Sequence, residues 1–572
     1  MNRWIAITNI SPSKKFSIEN LAENEVISKD NITVYYKLDR RFERDSVVWK
    51  NEKYLIIIDG VILNLRELME KYNTSDMLTT ALEMYKNNGE TFFNEFRGPF
   101  CGYFYDADKN KTMCFVNQTG DSAIFSYINK DVWITSPDFN CIASFLKENS
   151  IDYTFNQLAA KYILTFGYMI DDSTFIKEIK RITAGDYLMN DGVKVNEKSY
   201  HKFQNKNIRI SFDEAIELVD KAFRKTIKRC FEKDLEYGYK SHLADMSGGL
   251  DTRMDNWVAK DMGYNKIFNI SYSQSNSDED KIAALISAYL NNEFMHKNLD
   301  DISFIYEIDE MIKQNYGLSL YFGITGGKQL LESLNYNKFG LEHTGQFGEV
   351  VIGSSLKTIE HEKPRNTYHR YSDLLSINFD NKVLDKYENQ ELFALYTRGF
   401  LGTLSTHLIR RNYTYAVSPF IDVDFMSLCL SIPLKYRVNH KLYWAWVNKK
   451  YPDAGKIVST RKKDNINWTS KIKALPKRAV RKTQRECLKV FGKLRITDHT
   501  ISANNMNPFE YWYETNEDLR SFISKYYDMN IRRLDNYDEI KSYVDIMYCS
   551  KNPMEKLMAL SVIGTFKAYF GE

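Results

Sequence analysis

Paired cysteines are missing from this 572-residue sequence. Its seven cysteines (101, 114, 141, 230, 429, 487, 549) are odd in number and scattered, and none forms a Cys-x-x-Cys. That suggests neither a zinc knuckle nor a disulfide framework and makes a reducing compartment the expected one. An excess of one charge is also missing. The balance of 78 basic against 75 acidic residues leaves +3, which argues against a protein whose main task is to coat nucleic acid. No window approaches the length of apolar sequence that spans a bilayer, so no membrane span is expected. The opening MNRWIAITNISPSKKF lacks the apolar core of a signal peptide, so the cytoplasm is the expected location. Proline is scarce, at 10, while aromatic residues reach 14% with 39 tyrosines, the composition of a well-packed enzyme. A hydrophobic share of 43% with 27% charged residues excludes wholesale disorder.

The first 200 residues contain short β-rich runs at close spacing: WIAIT (4–8), YLIIIDGVIL (54–63), PFCGYFYD (99–106), TMCFVN (112–117) and DVWITS (131–136). Turn residues separate them, and the pattern predicts an antiparallel sandwich. GDYLMNDGVKV (185–195) predicts a hairpin turning at Asn190-Asp191-Gly192. One helix is expected over 75–89, with Ser75 as N-cap and Gly89 as its end. Near residue 205 the character changes. Apolar residues recur at helical spacing over 211–233, and Ser211 with Glu214 makes a capping-box signature. Strands at 242–247, 266–273 and 339–345 then alternate with helices, one of them over 278–290, as in a parallel sheet with helical crossovers. The expected division is 1–205, 206–475 and a mostly helical, basic 476–572. Between 471 and 495 ten basic residues face one acidic, Glu486. A solvated helical face is the plain reading, and a dock for an anionic partner is the sharper one.

The segment Met246-Ser247-Gly248-Gly249-Leu250-Asp251-Thr252-Arg253 follows a predicted strand and opens a predicted helix. Adjacent glycines let backbone N–H groups approach phosphate oxygens, the helix N-terminus adds positive character, and the Ser247 and Thr252 hydroxyls can donate. A carboxylate in such a loop repels phosphate unless a cation lies between them, so Asp251 implies magnesium. A Gly-Gly turn with an Asp N-cap is the plain alternative. The loop matches neither GxxxxGK[ST] nor GxGxxG.

SGGLDT (247–252) resembles the SGGxD[ST] pyrophosphate loop of the asparagine synthetase family, which cleaves ATP to AMP and pyrophosphate. Three further segments match in order. FNISYSQSNSDEDKIAALISAYLNNEFMH (268–296) is similar to the family's second strand and helix. TGQFGEVVIG (344–353) is similar to [ST]-G-x-G-[GS]-D-E-x-x-G, and SPFID (418–422) to V-P-[FY]-[LW]-D. Thr460-Arg461-Lys462-Lys463 sits over an R-x-K that supplies a catalytic lysine. In the N-terminal part, DGVILN (59–64) lies where glutamine-dependent members show N-G-E-[IL]-Y-N, and RGPF (97–100) resembles N-G-x-F. The resemblance implies an α/β protein: an α+β N-terminal-nucleophile-hydrolase-like sandwich, then an α/β synthetase part with a parallel sheet. It implies ATP and magnesium, with Ser247, Gly248, Gly249, Leu250, Thr252 and Gly345 at the pyrophosphate and Asp251 and Glu349 on the metal. Lys463 would stabilise charge on the adenylate, and Leu243, Ile270, Ser271 and Thr344 would border adenine and ribose.

The sequence departs from that pattern at telling positions. Glutamine hydrolysis in the family needs a cysteine directly after the initiator Met, and this chain has Asn2; the glutamate that grips glutamine is Val61. Glutamine hydrolysis is therefore not expected. Gln346 replaces a glutamate of ammonia-using members, and an amide orients a nucleophile without taking its proton. Glu349 replaces an aspartate and Val350 a glutamate. The expected activity is ATP-dependent amide formation between a carboxylate (aspartate, a peptide or a sugar acid) and an amine or ammonia. Tailoring of a peptide or surface polysaccharide is favoured, as in β-lactam synthetase and lasso-peptide cyclase relatives. An ammonia-dependent asparagine synthetase and a catalytically idle nucleotide-binding relative are the alternatives. A homodimer is compatible with either.

Overall fold

The structure is a computed structural model that describes residues 3–10, 16, 25–39, 41–275, 277–324, 327–353, 357–375, 377–457 and 505–571. The basic stretch 471–495 lies outside the described residues. In chain order the first strands are β1 (Arg3–Asn9), β2 (Glu25–Lys29), β3 (Ile32–Lys37), β4 (Val47–Lys50), β5 (Tyr54–Gly60), β6 (Phe100–Asp106), β7 (Lys111–Val116), β8 (Phe125–Ile128), β9 (Val132–Ser136), β10 (Ile179–Arg181), β11 (Asp186–Asn190) and β12 (Val195–Ser199). They form two six-stranded antiparallel sheets, ordered β10-β8-β9-β1-β3-β2 and β12-β11-β7-β6-β5-β4.

The sandwich follows from alternation along each strand. In β5, Leu55 and Ile57 enter the space between the sheets, where they meet Trp4, Val34, Tyr103 and Trp133. Ile56 and Ile58 point the other way, against the helices Leu65–Tyr72 and Met77–Asn88. A strand covered on both faces has to be apolar at successive positions, and YLIIID is. On the outer face of the other sheet, Ile5, Ile7, Phe125 and Ile134 pack with the helix Phe139–Glu148. The layers are thus helix, sheet, sheet, helix. The expected hairpin is present: Asp191 Oδ1 accepts from the Val193 and Lys194 N–H groups at 3.1 and 3.0 Å. The helix expected from Ser75 is capped one residue later. Asp76 accepts from Thr79 N at 2.9 Å, as a carboxylate is the stronger acceptor for an unpaired helix N–H.

The capping box at 211 has both halves, Glu214 N–H to Ser211 Oγ at 3.2 Å and Ser211 N–H to Glu214 Oε2 at 2.7 Å. It starts the helix Phe212–Glu236, which packs on a parallel sheet. That sheet comprises β13 (Ser241–Asp245), β14 (Ile267–Ser273), β15 (Glu293–Asn298), β16 (Phe339–His343) and β17 (Ala416–Val417), ordered β15-β14-β13-β16-β17. Beyond residue 505, the helices Phe509–Thr515, Glu517–Asn530, Asp538–Cys549 and Pro553–Phe570 share one apolar core with the outer face of the sandwich. Among the described residues no helix is long and apolar enough to cross a membrane.

One buried group works against this packing. Asp255, in the helix Leu250–Asp261, is fully buried, and neither carboxyl oxygen has a hydrogen-bond partner. Burial, then repulsion from Asp245, holds its pKa far above the usual carboxylate range. A raised folded pKa means that the penalty is absent below the unfolded carboxylate pKa and grows as pH rises through it. Asp255→Asn is expected to stabilise the protein by about 1–3 kcal/mol at pH 8, with the gain vanishing near pH 4. Urea unfolding at the two pH values measures this, and equal midpoints for the two proteins at pH 8 would refute it.

Candidate active site

In an open parallel sheet, ligands bind beyond the carboxyl ends of the strands where the strand order reverses. Here that point lies between β13 and β16, whose outer neighbours are β14 and β17. The loop after β13 is Ser247–Thr252 in sequence order, and the loop after β16 is 344–348. The two loops touch. A Cβ on Gly345 would lie 2.3 Å from Thr252 N, and one on Gly348 2.4 Å from Asp251 Cγ, so both positions require glycine for close approach. Asp251 Oδ2 accepts from Glu349 N at 3.0 Å, and Asp251 Oδ1 from the Tyr443 hydroxyl at 2.9 Å. Burial, then Asp251 and Glu349, pushes the Tyr443 hydroxyl far up, which puts two carboxylates about one buried phenol. These two carboxylates are of the kind that could hold a hard divalent cation.

Inside the first loop, Ser247 Oγ lies 3.0 Å from Thr252 Oγ1 and accepts from Gly249 N at 3.2 Å. Leu250 is buried behind the turn. The Gly248 N–H donates to Glu279 Oε2 at 2.7 Å, so a carboxylate sits on a donor of the kind that holds a phosphate oxygen. Removing that charge should favour nucleotide. Glu279→Gln is expected to lower the Kd of ATP about fivefold, on the order of 1 kcal/mol of relieved repulsion. Calorimetric titration reads this directly, and weaker binding would make Glu279 a supporting group instead.

The remaining candidates separate. Thr344 is fully buried, with its N–H on Val417 O at 2.8 Å and its hydroxyl oxygen unpartnered. Ser271 is buried near the end of β14. Leu243 and Ile270 pack within the apolar core of the sheet. Lys463 lies outside the described residues.

Gln346 is half-buried and lines a cavity of about 300 Å³ beside the paired loops. Tyr168, Tyr272, Tyr371, Arg398 and Thr406 also line it. Arg398 and its neighbours come from Leu395–Gly402, wound as a π-helix, a form frequent at functional sites. Arg398 lies against the ring of His369. Burial, then the Arg398 charge, lowers that ring's pKa to about 4, so the ring is neutral near pH 7. Arg410, at the same wall, is paired with Glu342 and with Asp245 at 3.5 Å.

Behind Gln346 stand two residues that motif reading did not single out. Its Oε1 lies 2.6 Å from His407 Nε2, and its Nε2 donates to Thr406 Oγ1 at 3.2 Å. His407 Nδ1 lies 3.1 Å from Asp121 Oδ2, and both residues are buried. Only the low count of nine histidines offered a sequence signal. Where the glutamine-dependent pattern was compared, Asp59 is fully buried, with the Tyr415 hydroxyl at 3.1 Å and Arg411 at 3.7 Å. The nearby hollow lined by Leu63, Gly98, Pro99 and Asp121 holds about 20 Å³, room for about one water.

Comparison with known proteins bears on the N-terminal part. Residues 44–201 match the family model of the glutamine amidotransferase domain. That part of the sandwich is therefore similar to an amidotransferase domain, and it is joined to the parallel-sheet part, which the match does not reach. No curated protein matches the chain. Among solved structures, glutamine phosphoribosylpyrophosphate amidotransferase from B. subtilis, complexed with ADP and GMP, matches at 8% identity and a TM-score of 0.24, over 52% of this chain and 59% of that one. An allosteric regulatory enzyme of purine biosynthesis matches at 8% and 0.24, over 52% of this chain and 74% of that one. NH3-dependent NAD synthetase from Campylobacter jejuni matches at 18% and 0.18, over 36% of this chain and 80% of that one. The chain thus spans less than two thirds of the first of these. Scores so low carry no argument, and the domain match is what bears on function.

Proposed function

We propose that this protein is an ATP-dependent ligase that forms amide bonds and does not draw ammonia from glutamine. The observation that carries the reading is the contact of two glycine-bearing loops at the switch point of the parallel sheet. In the first half-reaction the substrate carboxylate attacks the α-phosphorus of ATP and the bond to pyrophosphate breaks. In the second, an amine attacks the acyl carbon, AMP leaves with the C–O electrons, and the amine gives up a proton. The Gly248 and Gly249 N–H groups, the Ser247 and Thr252 hydroxyls and the helix N-terminus would bind pyrophosphate. Asp251 and Glu349 would hold magnesium, which neutralises charge on the departing pyrophosphate. Lys463 would steady charge on the adenylate. The 300 Å³ cavity, with tyrosines, hydroxyls and the Arg398 charge, suits a carboxylate carried on a peptide or sugar better than bare ammonia chemistry requires.

Asn2 and Val61 support independence from glutamine, as does the hollow lined by Leu63, Gly98, Pro99 and Asp121, which has room for about one water. The test incubates full-length protein with ATP and magnesium and, in separate tubes, L-aspartate, D-glucuronate or a short carboxylate-bearing peptide. Each receives ammonium, glutamine or hydroxylamine, and AMP, pyrophosphate and amide are quantified. Amide with a sugar acid or peptide supports the reading. Asparagine from ammonium would instead establish an ammonia-dependent asparagine synthetase. ATP binding with no AMP in any tube would leave a nucleotide-binding relative without ligase activity.

A further inference from the structure

The Gln346 carboxamide is held from behind by a chain that crosses between the two parts of the molecule. Asp121 belongs to the amidotransferase-type domain. It is 2% exposed, and its Oδ1 accepts from Thr119 Oγ1 at 3.0 Å and from the Asn117 amide. Burial raises its pKa, yet the hydrogen bonds, with His407 foremost, more than offset that and leave it below the usual carboxylate range. An ionised carboxylate only accepts, so His407 Nδ1 donates to it. On the other side of the ring, Gln346 Oε1 also accepts, because the amide nitrogen is turned to Thr406. Both ring nitrogens therefore face oxygen atoms, and the amide cannot rotate without losing two hydrogen bonds. The other charged groups facing this ring are Asp245 and its partner Arg410. The buried Arg181 faces Asp121.

We propose that Asp121 and His407 are positioning residues of the cavity. They fix Gln346 with its oxygen toward the ring and an N–H toward the bound acyl group, so that the amidotransferase-type domain completes the synthetase site. This rests on the ligase reading above and adds the direction of the hydrogen bond. A neutral amide locked as a donor does not take a proton from an ammonium. It can donate to the acyl oxygen as negative charge gathers there during amine attack. The domain is then a source of orientation for the second half-reaction, in place of ammonia.

The experiment uses the full-length protein labelled with ¹⁵N-histidine, with the His407 signal identified by its loss in His407→Gln. Long-range ¹H–¹⁵N spectra of the wild type are expected to show both His407 ring nitrogens protonated. Asp121→Asn is expected to return the ring to one proton. Should that variant not fold, Gln346→Leu, at the half-buried side of the ring, is expected to do the same by removing the other acceptor. In parallel, amide formation by Asp121→Asn and by His407→Gln is expected to fall about 10- to 100-fold, the usual effect of removing an outer partner that orients a working group. Carboxylate-dependent ATP–pyrophosphate exchange, measured on folded protein, should change much less. A singly protonated ring in the wild type overturns the proposal, as does a ring unmoved by both variants. A doubly protonated ring that responds to them, in a protein that turns over no carboxylate, sinks the ligase reading and leaves the positioning assignment standing.

Discussion

Asp251→Asn is expected to reduce ATP-dependent release of AMP and pyrophosphate at least about 100-fold, the scale on which removal of one charge-stabilising group acts. The substitution keeps the shape of the side chain. One amide oxygen can still accept from Glu349 N or from the Tyr443 hydroxyl, which now share Asp251 at 3.0 and 2.9 Å. What is lost is the charge that, with Glu349, would hold magnesium against the pyrophosphate. The fold should survive, because Gly345 and Gly348 still allow the two loops to touch. Product release is measured beside calorimetric binding of ATP with and without magnesium. A variant that keeps a tenth or more of wild-type turnover would remove Asp251 from the phosphate and metal machinery.

Arg229→Met should cost about 3–5 kcal/mol of stability, because it leaves a buried carboxylate without its cation. Arg229 donates to Glu67 at 2.8 and 2.9 Å, to Asp422 at 2.9 Å and to Asp424 at 2.7 Å. Glu67 comes from a helix on the sandwich, and Asp422 caps the helix Val423–Ser431 of the parallel-sheet part. Asp422 is 3% exposed, and methionine can fill the space without answering its charge. The loss should appear as a lower urea midpoint and a lower melting temperature; a change under about 1 kcal/mol would show the network to be dispensable. The network also predicts a pH effect. Burial raises the pKa of Asp424, but Arg97 and Arg229 outweigh it and lower the value to about 2. Its contribution is present above the unfolded carboxylate pKa and is lost as pH falls toward 2. Arg229→Met should weaken that acid dependence.

What the sequence disclosed was what is local along the chain. YLIIID, the Ser211 capping box, the Asp191-Gly192 turn and the strand–loop–helix around Ser247 each bring their cause within a few residues, so alternation, capping and turn chemistry found them. The cap lies at Asp76 and not at Ser75, whose hydroxyl instead donates to Asp76 at 3.3 Å, because serine and aspartate are both good caps and composition alone does not choose between neighbours. The cavity was not visible. Gln346, His407 and Asp121 meet from places 61 and 286 residues apart, and no spacing rule connects them. Arg398 lies in a π-helical turn, whose shifted period hides it from a 3.6-residue pattern. Asp255 sits in the same helix as the loop, yet only packing shows that nothing answers it.

The helix Pro553–Phe570 closes over segments made far earlier. Tyr569 meets Phe139 edge to face at 5.0 Å and donates to Asn140 at 2.9 Å, and Phe566 meets Phe155 at 5.0 Å. During synthesis, the outer side of the helix Phe139–Glu148 and the ring of Phe155 therefore wait without this cover, since 429 positions separate Asn140 from Tyr569. Loops of that length close slowly and expose apolar surface meanwhile. The fold is thereby completed only after residues 553–570 have been made, and removing the helix Pro553–Phe570 should send the chain to aggregates.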